Sequence, residues 1–168
     1  MSTLEVKAIQ APSGYDLQMP AGHIIQVVQG TYATEVSNNA SSYTDTGLTA
    51  TITPSSSSNK ILIIVNAPGC GCPNGSNASS HGRYRLASVI SSTTTALIVI
   101  TPQAGYTESS SADYTTVSSS YLHSPGVTSA CIYKLQFQTG GTGTQKFLDD
   151  NAAGEQPTGT ITLMEVAG

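Results

Sequence analysis

SACIYKLQFQ, residues 129–138, decides how this chain folds. Cys131, Tyr133, Leu135 and Phe137 occupy every second position, with Lys134 and Gln136 between them. Successive Cβ atoms of a pleated strand point to opposite sides, so this period of two predicts one apolar and one polar face. Aromatic side chains suit such a half-buried surface. The stretch is bounded by Ser124-Pro125-Gly126 before it and by glycines at 140, 141 and 143 after it, both turn signals.

The same pattern recurs outward in both directions. Upstream, residues 4–9 (LEVKAI) alternate, with Leu4 and Val6 among the apolar positions and Ile9 closing the stretch, and a Pro/Gly connector follows over 11–22. Residues 23–35 predict a long strand with a bulge at Gly30, and 43–53 place Leu48, Ala50 and Ile52 on one face. The run 61–65 (ILIIV) is apolar at every position, which predicts a central strand covered on both faces. Residues 67–82 (APGCGCPNGSNASSHG) predict a long loop. Segments 83–91 and 96–101 predict a hairpin joined through 92–95, a polar stretch over 103–111 precedes a strand at 114–121, and 146–148 and 160–166 supply the last strands. No window sustains the 3.6-residue apolar period of a helix. Eight to ten short strands at this spacing predict an all-β fold: an antiparallel β-sandwich of jelly-roll type.

Composition narrows the function. The 168 residues suffice for one compact domain, placed at 21–168, with 1–20 as an N-terminal attachment strand and connector. Only 10% of residues are charged against the usual quarter, and Ser, Thr, Gly and Asn replace them. Such a surface is solvated by hydroxyls and amides, as suits a protein held in an assembly. Six Lys and Arg against ten acids, without a basic cluster, argue against nucleic acid as a partner. The run 61–65 is far short of the roughly 20 residues that span a bilayer, so no membrane insertion is expected, and no basic-plus-apolar leader opens the sequence. Cys70, Cys72 and Cys131 are odd in number and are expected as free thiols.

At three places the chain resembles a known group. MSTLEVKAI resembles the short opening strand, of the type MSTLKVDTI, of structural proteins of marine and cyanobacterial tailed phages. Residues 20–65, with AGHIIQVVQ and SSYTDTGLTATITPSSSSNKILIIV, resemble a domain of phage tail-fibre and virion structural proteins. HSPGVTSACIYKLQFQ and TGTITLMEV near the end fit the same group. The resemblance thins between about 69 and 116. It implies a non-enzymatic virion protein made in the bacterial host cytoplasm: a short fibre, spike or appendage subunit, usually a homotrimer. A capsid decoration protein on the head surface and a host-glycan-binding adhesin are the alternatives. Implied partners are further copies of the chain, capsid, portal, neck or tail proteins, and, for the adhesin, host surface polysaccharide.

Constellations that carry chemistry are weak. Cys70-Gly71-Cys72 with His81 has the wrong spacing for zinc, which takes paired cysteines two to four apart and four ligands. His123-Ser124 with Asp113, Asp149 or Asp150 lacks a nucleophile elbow, and His23, His81 and His123 are expected on the surface or at an interface. Asp149-Asp150-Asn151 and Asp45 lack calcium-loop spacing and are expected in solvated turns. Scattered acids offer no evident pair for glycoside cleavage. Asn39, Asn74 and Asn77 match the glycosylation pattern by chance in a chain without a secretory signal. No catalytic residue, metal or cofactor is therefore predicted. Eight tyrosines stand out; most are expected at sheet edges or interfaces. Tyr84, Tyr106 and Tyr114 are the candidates for distal-surface contacts, and Leu4, Val6 and Ile9 for assembly and attachment.

Overall fold

A computed structural model describes residues 21–73, 80–107, 112–141, 143–150 and 154–168. Leu4, Val6 and Ile9, with the rest of the expected attachment strand, lie outside the described residues. Ten strands run in order: β1 (Ile24–Tyr32), β2 (Val36–Asn38), β3 (Thr44–Ile52), β4 (Lys60–Cys72), β5 (Ser80–Ile90), β6 (Thr93–Thr107), β7 (Asp113–His123), β8 (Cys131–Thr139), β9 (Gln145–Phe147) and β10 (Gly159–Val166). Every pairing is antiparallel.

The eight long strands pair as a nested hairpin. β1 pairs with β10, β3 with β8, β4 with β7, and β5 with β6. Lateral pairs β10–β4 and β8–β5 then gather the strands into two sheets, β1-β10-β4-β7 and β3-β8-β5-β6, with short β2 and β9 extending the first. This is the jelly roll. Its core is the set of alternate residues that the two sheets turn toward each other: Leu48, Ala50 and Ile52 of β3, Ile61, Ile63 and Val65 of β4, Tyr133, Leu135 and Phe137 of β8, and Ile161 and Leu163 of β10. At Gly30 the two sheets approach closely, since a Cβ there would lie 2.0 Å from the Thr49 carbonyl oxygen. The expected bulge at Gly30 is absent; the irregularity of β1 falls between Ile24 and Gln26.

Three further expectations are corrected. The loop expected over 67–82 is strand up to Cys72 and again from Ser80. Pro68 and Gly69 (φ +64°) sit in a bulge between the Ala67 and Cys70 pairings, which absorbs the missing N–H and the left-handed residue without ending the strand. β6 likewise continues through residue 107 into the stretch expected to be a polar loop. The connector of the β5–β6 hairpin is two residues rather than four: Ile90 pairs with Thr93, and Ser91 and Ser92 carry φ of 49° and 65°.

Positive φ at both positions is what a type I′ turn requires, and it favours Asn-Gly over Ser-Ser. Both serines are exposed, so substitution disturbs no packing. Ser91→Asn with Ser92→Gly is expected to stabilise the fold by about 1 kcal/mol, a rise of roughly 2–4 °C in the thermal midpoint. A lowered midpoint in a melting experiment would show that this turn has another geometry.

Candidate functional site

Two surfaces stand apart from the core. The first is the outer face of the β1-β10-β4-β7 sheet. Its register places Val27 beside Met164, Met164 beside Leu62, and Leu62 beside Leu122, one apolar residue on each of four strands. Ile64 in the next row, Val166 and Ile24 in the row before, and Ile25 widen the stripe. Val27 is 57% exposed and Leu122 48%. Across these three rows the single charged side chain is Lys60, opposite Val166. β4 is central, as its sequence predicts, but its two faces differ: Ile61, Ile63 and Val65 are buried, whereas Leu62 is half-buried and Ile64 exposed. The expectation that both faces are covered is corrected here, because a two-layer sandwich covers one face of each sheet.

The outer face of the other sheet is built differently. Asp45 accepts from Lys134 Nζ at 2.8 Å and from Gln136 Nε2 at 2.7 Å. Arg85 Nε donates to Gln136 Oε1, and its guanidinium lies 3.9 Å above the Tyr43 ring centre. Partial burial works against the Asp45 charge, yet Lys134 and Gln136 hold its carboxyl below the ordinary range. Asp45 is thus bound into a network rather than left in a solvated turn. On this sheet Val99 is exposed beside Arg85, and exposed Ile132 lies beside half-buried Val89.

The second surface is a cleft of about 400 Å³ between β6 and β7. β6 pairs with β5 and β7 with β4, so each leaves one edge unpaired among the described residues. The cleft lies between residues 100–106 of one edge and 113–118 of the other. At its end the two sheets touch through glycine. A Cβ on Gly105 (φ +57°) would lie 2.4 Å from the Asp113 carbonyl oxygen and 2.5 Å from Gly71 Cα.

Tyr106 and Tyr114, named from sequence, both line this cleft. Tyr106 is 38% exposed, its ring 6.0 Å from that of His81. The Tyr114 hydroxyl donates to Asp149 Oδ2 at 2.7 Å. Partial burial and that carboxylate together push the phenol above its usual range, so it stays a donor. Asp113, Gln103 and the hydroxyls of Thr101, Thr115, Thr116 and Ser118 complete the polar lining.

Tyr84 does not join them. It is fully buried on β5, stacked on Phe137 at 5.7 Å, with its hydroxyl on the Lys146 carbonyl at 2.8 Å. The expected distal contact is a core residue, since β5 turns this position toward the other sheet. His81 is also buried rather than at the surface, at 5% exposure. Half-buried His123 shares a hydrogen bond with the Tyr133 hydroxyl through Nδ1 at 2.8 Å, and burial lowers its pKa.

The cysteines are buried free thiols. Burial pushes the Cys70 thiol up to about 11, far from the reactive thiolate range. Among the described residues, three potential metal ligands converge only at Glu35, Asp149 and Asp150. Lys146 lies there, paired with Glu35 and 3.7 Å from Asp149, so an ammonium group already supplies positive charge. Asp149 is thereby tied to Lys146 and Tyr114, not solvated in an open turn as expected. Among the described residues no helix is long and apolar enough to cross a membrane.

No protein-family model matches the chain, and no curated protein matches it. Among solved structures, it is similar to the crystal structure of an infectious bursal disease virus VP2 subviral particle, at TM-score 0.49 and 10% identity. The match covers 97% of this chain and 38% of that one. A structure of the infectious bursal disease virus Gt strain matches at TM-score 0.43 and 9% identity, over 96% of this chain and 44% of that one. The chain therefore spans less than half the length of either neighbour.

Proposed function

We propose that this chain is a non-enzymatic structural protein of a virion surface, an assembling subunit of a tailed-phage short fibre, spike or appendage. The observation that carries the reading is the apolar stripe across the outer face of β1-β10-β4-β7. β4 is apolar on both faces, and the sandwich itself covers only one. A contiguous exposed apolar surface of this kind marks a protein–protein contact. Its occupant in this reading is a second copy of the chain within a homotrimer, whose low charge opposes no close approach. β1 ends its sheet among the described residues, so its open edge can accept a strand from a neighbour. In this reading the segment carrying Leu4, Val6 and Ile9 takes that role, joining the particle's other proteins.

Leu62→Lys with Leu122→Lys tests the reading. Both side chains lie on the outer face, so the variant is expected to fold. In light scattering after gel filtration, the wild-type chain is expected at three times its own mass and the variant at one. In particles produced with the variant, incorporation is expected to fall at least tenfold. A monomeric wild-type protein, or a variant that still assembles and incorporates, would overturn the assignment.

A further inference from the structure

We propose that the β6–β7 cleft is a carbohydrate site that takes a short segment of a neutral glycan. This goes beyond the assembly reading and is independent of it, because the cleft and the apolar stripe occupy different surfaces.

Four observations support it. The volume, about 400 Å³, is that of a small-molecule site, for which roughly 300–1,000 Å³ is usual. The lining combines aromatic surface with many small hydrogen-bonding groups, as a sugar presents C–H faces and a rim of hydroxyls. Exposed Tyr106 supplies the aromatic surface, Tyr114 lies in the lining with its hydroxyl turned to Asp149, and the threonines, Ser118, Gln103 and Asp113 supply polar groups. Charge narrows the class further. Among the described residues, Asp113 is the only carboxylate in the lining and no Lys or Arg accompanies it, so uronic, sialic and sulfated sugars are disfavoured and neutral hydroxyls are favoured.

The site is also held in place before any ligand arrives. The Tyr114 hydroxyl is anchored on Asp149, and the Tyr106 ring stands beside that of buried His81. The Gly71–Gly105 approach sets how far the two edges separate. Little side-chain freedom then remains to be lost on binding, which is the advantage of rigid tyrosines in recognition surfaces.

The experiment uses saturation-transfer NMR and calorimetry on the full chain with maltohexaose, mannohexaose, chitohexaose and oligogalacturonate as probes. Binding of at least one neutral oligosaccharide is expected, with oligogalacturonate at least tenfold weaker. Tyr106→Ala, at a partly exposed position, is expected to weaken the neutral ligand at least tenfold while leaving the melting temperature nearly unchanged. Asp113→Asn is expected to narrow the gap between neutral and acidic probes. Absence of binding to all three neutral probes, a preference for oligogalacturonate, or full affinity in a folded Tyr106→Ala variant would each overturn the proposal. None of these results bears on the oligomeric mass by which the assembly reading is judged.

Discussion

Phe137→Ala is expected to lower stability by about 3–5 kcal/mol, the range for emptying a large aromatic site in a packed core. Phe137 is wholly buried on β8. Its ring stacks with Tyr84 of β5 at 5.7 Å and meets Phe147 of β9 at 6.3 Å, so three strands lose contacts together. Its neighbours are held in place: the Tyr84 hydroxyl is fastened to the Lys146 carbonyl, and Asn38 Nδ2 donates to the Phe137 carbonyl at 2.9 Å. With little room to collapse, the cavity persists. At roughly 2–4 °C per kcal/mol for a chain of this size, the thermal midpoint should fall by roughly 6–20 °C. Urea denaturation with Val99→Ala as an exposed comparison checks the value. A loss below 1 kcal/mol would show that the aromatic cluster does not hold the sandwich together.

Glu165→Gln is expected to cost about 2–3 kcal/mol at neutral pH, and the cost should shrink to about 1 kcal/mol or less near pH 2.5. Glu165 is fully buried at the end of β10. One carboxylate oxygen accepts from the Ser55 N–H and hydroxyl, both at 2.7 Å, and from Asn59 Nδ2 at 2.6 Å; the other accepts from Gln26 Nε2. A single charge thereby ties β1, β10 and the β3–β4 connection. Glutamine would turn an N–H₂ toward these donors and leave buried groups unpaired.

Burial alone would raise the Glu165 pKa, but the bonds from Gln26, Asn59 and Ser55 outweigh it and bring it from 4.5 down to about 2. The unfolded chain therefore takes up this proton before the folded one. The stabilisation, at most about 3 kcal/mol, is complete above pH ~4.5 and is lost as pH falls toward 2. Wild type and Glu165→Gln should differ fully at pH 7 and by about 1 kcal/mol or less near pH 2.5. Parallel denaturation curves across that range would refute the role of the charge.

Neither effect was legible in the chain alone to the same degree. Phe137 is legible as an inner-face residue because its strand alternates without a break. Glu165 gave no such signal: its charge speaks for solvent, although the period of two sets it on the buried face of Ile161 and Leu163. Gln26, Ser55 and Asn59, which compensate that burial, lie 106 to 139 positions away. Tyr106 and Tyr114 are amphipathic residues near polar loops, and the fold brings both to one cleft. Tyr84 shares that character and lies in the core. Gly105 and Gly71, which let the sheets touch, have no signature in the sequence, because a close approach of two backbones leaves no mark on local pattern.

That this protein is all-β is legible in the amino-acid order alone, because a period of two is a property of the pleat and needs no knowledge of neighbours. So is the central place of β4, because five consecutive apolar residues do not suit an edge. Tertiary structure decided which strand pairs with which, and hence the nested hairpin of the jelly roll. It also decided that, among the described residues, one face of β4 is left open and β6 and β7 present unpaired edges to each other. Those outcomes depend on contacts between residues far apart in the chain, and no local periodicity encodes them.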